Sequence, residues 1–181
     1  MQIRKATKDD ACGIAKVHVI SWQETYQGLV RQEYLDSLKV EDRKPLWEKG
    51  LLLNAETSPV FVAVNPEGEI IGFASFGKER TGKFDADGEL YAIYILKEYQ
   101  RGKLGLRLLQ AGLEEMQKLH YQSMLVWVLA DNESRKFYKS LKPKKAGEEV
   151  VKIAGKEYLE FAYIWKELNI LQQTIIEKLR G

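Results

Sequence analysis

The 181-residue chain has one cysteine, Cys12, so no disulfide can form within it. A chain without disulfides suits a reducing compartment. No partner that would activate the thiol is visible near Cys12 in the sequence, and we expect a small buried helix residue rather than a nucleophile. The chain also lacks the ~18-residue apolar stretch of a membrane helix and the apolar N-terminal run of a signal peptide. These absences predict a soluble, cytoplasmic protein that does not enter a membrane.

An excess of charge of one sign is also missing. Lys and Arg together number 28 and Asp and Glu 26, a formal net charge of +2. This gives no ground for a nucleic-acid partner, which would need basic residues gathered on one face. No His, Cys, Asp and Glu residues have the spacing of metal ligands, so we predict no metal site.

The composition that is present, 45% hydrophobic and 30% charged residues, is that of a globular protein. The length fits one domain. We expect residues 1–167 to form this domain and residues 168–181 to form a C-terminal helix packed on it.

Hydrophobic periodicity predicts a mixed α/β (α+β) fold. The clearest signal is a β-hairpin, with strands at residues 60–64 and 70–76 around a turn at 65–68. Thr7 and Asp10 resemble a capping box, so a helix should start there, with one face formed by residues from Ala11 to Trp22. The other expected helices cover residues 31–38, 40–53, 103–120, 131–141 and 168–179, and the other expected strands cover residues 3–6, 89–96 and 124–129, with two more within 150–166. This order implies a mixed sheet with helices on both faces.

The most informative segment is a strand, a short loop and the start of a helix, from Glu89 to Gly105. Free backbone N–H groups and the positive end of the macrodipole lie at a helix start, and Gly102 and Gly105 let a ligand approach closely. Arg101 and Lys103 add positive charge. This combination binds phosphate or diphosphate. The P-loop and dinucleotide fingerprints are absent. A plain strand-to-helix turn with exposed basic residues is the alternative.

The residues Gln100-Arg101-Gly102-Lys103-Leu104-Gly105 resemble the Gln/Arg-x-x-Gly-x-Gly/Ala loop of the GNAT superfamily of N-acetyltransferases. The first and last positions match. Lys103 stands at the middle glycine of that pattern, and Gly102 lies one place earlier. This departure leaves the backbone path of the loop open.

A second stretch is similar to the same family. A strand from Val126 leads to Asn132 and to a helix that ends in Phe137-Tyr138. Lys142-Pro143 stands where the family usually has Gly-Phe, so the turn there is open to difference. The resemblance extends to about Trp165, and it implies a GNAT-like, mostly antiparallel central sheet and acetyl-CoA as the acyl donor.

The resemblance also implies roles for single residues. The backbone of β-strand residues should pair with the pantetheine arm, with an oxyanion donor near Ile95, and loop amides should face the diphosphate; these cofactor-binding positions are Ile93, Tyr94, Ile95, Arg101, Gly102, Lys103, Leu104, Gly105 and Leu106. Asn132 is expected to bind the amide arm of the cofactor or to cap a helix. Tyr138 is expected to protonate the leaving thiolate or to be a core aromatic residue.

Glu89 is the predicted general base, eleven positions before Gln100, where some family members carry theirs. Strand alternation would place Glu89, Tyr91, Ile93 and Ile95 on one face. A carboxylate in a partly apolar cleft can accept a proton, whereas a solvated strand-end glutamate is the alternative. His18 and His120 are expected to be structural.

The acceptor side should be formed by the first helices and the late strands. Trp22, Tyr26 and Tyr34 either line it or pack, and Glu24 and Glu33 either attract a cationic amine or form a solvated face. We expect acetylation of a primary amine of a small molecule, such as a polyamine, amino acid or drug. A protein or peptide acetyltransferase and a non-catalytic acyl-CoA-binding module are the alternatives, and the C-terminal helix could pair two copies into a homodimer.

Overall fold

A single sheet with helices on both faces organises the computed structural model, which describes residues 1–54 and 56–181. Within these residues the strands are β1 (Gln2–Lys5), β2 (Val60–Val64), β3 (Ile70–Lys78), β4 (Gly88–Ile95), β5 (Met124–Leu129), β6 (Lys144–Ile153) and β7 (Lys156–Trp165), and the helices are α1 (Ala11–Tyr26), α2 (Gln32–Ser37), α3 (Val40–Leu53), α4 (Leu104–Lys118), α5 (Arg135–Lys139) and α6 (Leu168–Arg180). None of the helices in these residues is both long and apolar enough to span a membrane.

The strand order is β1-β2-β3-β4-β5-β7-β6. Strands β4 and β5 are parallel, and every other neighbouring pair is antiparallel. Parallel neighbours need a long crossover, and α4 provides it. The predicted mixed, mostly antiparallel sheet is therefore confirmed.

Local sequence explains where the first elements begin and turn. The Asp10 carboxylate accepts a hydrogen bond from the Thr7 backbone N–H at 2.8 Å and forms an ion pair with Arg4 at 2.6 Å. These contacts stabilise the 3₁₀ turn that leads into α1. Between β2 and β3, the Asn65 side chain accepts from the Glu69 N–H at 2.7 Å, and Gly68 adopts φ 86°. Both features follow the capping and turn chemistry predicted from the sequence.

Two cores lie on opposite faces of the sheet. On one face, α4 and α6 pack over the centre of the sheet, where Phe76, Leu109 and Ile175 are fully buried. Gly112 of α4 lies directly against the Phe76 ring, where no Cβ would fit. On the other face, α1 and α3 cover residues such as Val62 and Phe73.

Three local predictions are corrected. The helix predicted at 131–141 is only α5, because the Asn132 side-chain oxygen Oδ1 accepts from the Ser134 backbone N–H at 2.8 Å and holds residues 131–134 in a turn. Strand β6 begins at Lys144, earlier than predicted, since its charged residues obscure the alternation. Cys12 is exposed, because the face of α1 that packs on the sheet is formed by residues at i, i+3 and i+4 from Ala11.

Candidate active site

The central feature of the site is the separation of β4 from β5. The parallel pairing joins residues 88–90 to residues 124–126, after which the two strands part. A β-bulge lies at the same level on the other edge of β4, because Leu90 pairs with Phe76 and Ala92 with Ser75, leaving Tyr91 as the extra residue. A bulge bends the strand and increases its twist. The bulge thus accompanies the opening of a gap in the sheet.

The bulge also changes which side chains share a face. Leu90 and Ile93 both face the α4 side, in the larger core, whereas Ala92 and Tyr94 face the α1 side. Glu89 pairs with Gly77 and Leu125 and belongs to the α1 side. The prediction that Glu89, Tyr91, Ile93 and Ile95 share one face is therefore wrong, because the extra residue shifts the alternation by one.

A cavity of about 560 Å³ fills the gap between the parted strands. It brings together most of the predicted cofactor-binding residues with Tyr138, and its lining includes Ile93, Tyr94, Ile95, Arg101, Lys103, Leu104, Gly105, Leu106, Asn132 and Tyr138. Gly102, in the same loop, is exposed and does not line it. Glu89 is not part of the lining either, although its neighbour Leu90 is.

The loop before α4 has an unusual backbone. Arg101 adopts φ 66° and Lys103 φ 60°, the left-handed region that favours glycine. The Gln100 side-chain amide donates through Nε2 to the Ile95 backbone carbonyl oxygen at 2.9 Å, which connects the loop to the end of β4. Lys103 directly precedes the first residue of α4, and the first residues of that helix line the cavity together with Arg101 and Lys103. This end of the cavity is suited to a diphosphate.

The same left-handed conformation recurs at the second departure from the family pattern. Lys142 adopts φ 55°, so the turn after α5 has a glycine-type backbone although a lysine occupies it. Lys103 and Lys142 therefore each adopt the conformation for which glycine is the usual residue.

Tyr138 and Asn132 line the cavity next to β5. Tyr138 is 6% exposed, and burial raises the pKa of its hydroxyl, so it stays protonated at neutral pH. Asn132 is equally buried, and its oxygen caps the Ser134 N–H. Its side chain also lies next to the Tyr26 hydroxyl, which borders the same cavity.

Glu89 is 1% exposed and forms an ion pair with Arg80. The guanidinium contacts Glu89 Oε1 at 2.5 Å and Oε2 at 3.2 Å, and the Arg80 backbone N–H adds a bond to Oε2 at 3.2 Å. The alternative of a solvated strand-end glutamate is wrong, because the side chain is buried. As a general base, Glu89 would have to take its proton in competition with this guanidinium.

The first helices contribute an aromatic cluster on the α1 side of the sheet. Trp22 packs on Tyr26 with ring centroids 4.6 Å apart and on Tyr34 at 6.2 Å, and Leu129 of β5 belongs to the same cluster. Tyr26 is the member of this trio that also lines the cavity. Packing thus accounts for all three rings, and Tyr26 in addition borders the gap.

The remaining candidates lie away from the cavity. Glu24 accepts from the Lys97 backbone N–H at 3.2 Å, and Glu33 is exposed on α2. His18 accepts through Nδ1 from the Trp47 indole at 3.2 Å and stacks on Tyr94 at 5.5 Å. Burial, with a smaller contribution from Arg43, lowers the pKa of His18 to about 4. His120 follows the end of α4 in a left-handed conformation with φ 64°.

Glu160 is a carboxylate that the sequence argument did not single out. It pairs with Leu129 and Glu149 across the strands and faces the α1 side beside Trp127 and Ala162. The Glu160 carboxylate makes no ion pair or hydrogen bond among the described residues. Burial and then the charges of Glu149 and Glu89 raise its pKa. A glutamate in an otherwise apolar stretch of β7 was the only available sequence signal.

Lys178 is the second residue that was missed. It belongs to α6, outside the stretch that resembles a known family, and it lines the cavity together with Arg101 and Lys103. On the sequence alone it was one of two basic residues in the last turn of an amphipathic helix.

Comparisons with known proteins agree on one family. The model of the acetyltransferase (GNAT) family matches residues 19–142. An uncharacterized N-acetyltransferase, YuaI of Bacillus subtilis (strain 168), is 39% identical over 173 residues, which cover 96% of this chain and 97% of that protein.

Solved structures share the fold. The PaiA N-acetyltransferase of Thermoplasma acidophilum, in complex with coenzyme A, has a TM-score of 0.68 at 22% identity and matches over 88% of this chain and 96% of its own. YncA of Salmonella typhimurium, with its cofactor acetyl-CoA, has a TM-score of 0.67 at 21% identity over 93% and 94% of the two chains.

Proposed function

Because the chain belongs to the GNAT family of acetyltransferases, we propose that it transfers the acetyl group of acetyl-CoA to a primary amine of a small molecule, such as a polyamine, an amino acid or a drug-like amine. The observation that carries the proposal is the gap between β4 and β5, which opens beside the start of α4 and contains Tyr138. A long, narrow ligand with a diphosphate at one end and a reactive group at the other fits this arrangement.

The donor site divides into two parts. The amides of residues 101–106 and the cations of Arg101 and Lys103 hold the diphosphate, as helix starts do. The free edge of β4 at residues 93–95 pairs with the pantetheine arm as an added strand would, and the Asn132 amide donates to it. A backbone N–H near Ile95 polarises the carbonyl. These contacts place the reacting carbon close to Tyr138.

The chemistry needs one proton donor and one acceptor. Bound acetyl-CoA supplies an acetyl group activated as a thioester. The amine nitrogen forms a bond to the carbonyl carbon as the bond from carbon to sulfur breaks, and the Tyr138 hydroxyl gives its proton to the sulfur. Glu89 remains the proposed base for the proton of the amine. The Glu89 carboxylate forms an ion pair with the Arg80 guanidinium, so it must accept this proton while that ion pair is in place.

The acceptor face, defined as the sheet face that carries Glu89, Trp127, Leu129 and Glu160, supports a small cationic acceptor. Loop residues 79–87 lie across it, where Phe84 contacts Trp127 with ring centroids 5.5 Å apart and Lys83 pairs with Glu149 at 2.6 Å. The aromatic cluster of α1 and α2 borders the other side. A face bordered on two sides by other parts of the chain favours a small molecule over a folded protein.

Charge on the acceptor face favours an ammonium group. Arg80 pairs with Glu89 and Lys83 with Glu149, whereas Glu160 between them has no cation of its own in the described part of the chain. A half-buried carboxylate without a partner is stabilised by binding a cation. We assign Glu160 to the binding of the amine in its ammonium form, which loses one proton to water before the neutral nitrogen attacks the thioester.

The test is a thiol-release assay with acetyl-CoA and a panel of acceptors that includes polyamines, amino acids, an uncharged aromatic amine and lysine peptides. Turnover of small cationic amines above the peptides is expected. A preference for peptides would overturn the small-molecule assignment. Tight binding of acetyl-CoA without turnover of any amine would instead indicate a binding module, and no binding would refute the cofactor assignment.

Two matched variants separate the carboxylates. Glu89→Gln is expected to lower kcat, whereas Glu160→Gln is expected to raise KM for a cationic amine by about tenfold and to leave KM for the uncharged aromatic amine unchanged. Glu157→Gln, on an exposed position of the same strand as Glu160, is the control. A loss of kcat confined to Glu160→Gln would transfer the base from Glu89 to Glu160.

A further inference from the structure

The C-terminal helix brings a lysine to the donor site from outside the part of the chain that matches the family. The family match ends at residue 142, and α6 begins at Leu168. The helix is nevertheless firmly part of the fold, because Leu168, Leu171 and Ile175 are buried in the core against α4. The Gln117 side chain of α4 adds a hydrogen bond to Asn169 at 2.8 Å. The position of the last turn of α6 is therefore fixed relative to α4.

This last turn meets the start of α4. The Lys103 ammonium donates to the Leu179 carbonyl oxygen at 3.3 Å, so the carboxyl end of α6 and the amino end of α4 are in direct contact. Lys178, the residue before Leu179, lines the cavity together with Gln100, Arg101 and Lys103. Its ammonium makes no ion pair or hydrogen bond within residues 1–54 and 56–181. A free cation thus stands at the phosphate end of the cavity.

We propose that Lys178 binds the diphosphate of coenzyme A, so that the C-terminal helix completes the donor site. The inference rests on the proposed use of acetyl-CoA. The contact with Leu179 commits one of the three N–H donors of the Lys103 ammonium to the end of α6, and Lys178 supplies a further ammonium at the same cavity. A lysine acts on a diphosphate as a flexible point charge, which suits an exposed side chain at a helix end.

Calorimetric titration tests the proposal with three ligands: coenzyme A, 3′-dephospho-coenzyme A and pantetheine, which has no diphosphate. Lys178→Gln is expected to weaken both coenzyme A and its dephospho form about three- to tenfold, and to leave pantetheine unchanged. The slope of log affinity against log salt concentration should become shallower for the first two ligands. Lys178→Arg should restore most of the affinity.

Arg180→Gln is the matched control, because Arg180 is an exposed cation of the same helix turn that does not line the cavity. Equal losses in the Lys178 and Arg180 variants would overturn the proposal, since net charge would then explain both. A loss for coenzyme A alone would also overturn it, because Lys178 would then face the 3′-phosphate. If Lys178→Gln binds coenzyme A with unchanged affinity, only this inference is refuted. If the wild-type protein binds no coenzyme A, the proposed function is refuted.

Discussion

Acidification should destabilise the protein through His18, a neutral imidazole enclosed between α1, α3 and β4. Its Nδ1 accepts from the Trp47 indole at 3.2 Å, which only the form with an unprotonated Nδ1 can do. Burial, and to a lesser extent Arg43, lowers its pKa from 6.5 to about 4. The unfolded chain therefore binds a proton at His18 in a pH range where the folded chain does not.

The sign and size follow from this difference. A lowered pKa in the folded state contributes stability that is fully present above pH 6.5 and is lost as the pH falls toward 4. Between pH 7.5 and 5 the free energy of unfolding should fall by about 2 kcal/mol through this residue, rising toward about 3 kcal/mol at pH 4. That is a large fraction of the stability of an ordinary domain, roughly 5–15 kcal/mol.

Two measurements check the prediction. The chain has two histidines, so its two imidazole C2–H resonances can be titrated by NMR and assigned with His18→Gln and His120→Gln. Denaturant unfolding of both variants at pH 7.5 and 5 gives the free energies. His18→Gln should lose less stability on acidification than the wild type, by about 2 kcal/mol, whereas His120→Gln should follow the wild type.

A His18 resonance that titrates near its ordinary pKa of 6.5 would refute the reasoning. So would an equal loss of stability in His18→Gln and wild type, since other groups would then carry the whole pH dependence.

Substitutions at three residues test the proposed donor site. Tyr138→Phe should lower kcat about ten- to a thousandfold with little change in the affinity for acetyl-CoA, because it removes the proton donor and keeps the ring; an unchanged kcat in steady-state assays would exclude Tyr138 from the mechanism. Gly105→Glu should severely weaken acetyl-CoA in calorimetry, because an anion would enter the diphosphate site, and retained affinity would mean that the loop binds elsewhere. Lys103→Gly should raise the free energy of unfolding by up to about 1 kcal/mol, because glycine adopts φ 60° without strain. Lys103→Val should lower the free energy of unfolding. The opposite order in denaturant unfolding would contradict the left-handed conformation of residue 103.

Most of the secondary structure could be predicted from local sequence. The bounds of α3, β2 and β5 agree with the prediction, because hydrophobic periodicity, a capping motif and turn residues act over a few neighbouring positions. The errors lie where local signals were weak. The polar start of β6 and the Asn132 turn before α5 are examples.

The sequence by itself also determined the loop at one end of the cavity, because residues 100–105 and the start of α4 are contiguous in the chain. The proposed acceptor face was decided only by tertiary structure. The bulge at Tyr91 depends on the register between β3 and β4, and it sets the face to which Glu89 belongs. Three further features depend on residues from separate elements. Glu89 pairs with Arg80, Glu160 has no cation paired with it among the described residues, and Lys178 lies with Lys103 at the cavity. The interaction between two charges depends on their distance in the folded chain, and this distance cannot be derived from their spacing along the sequence.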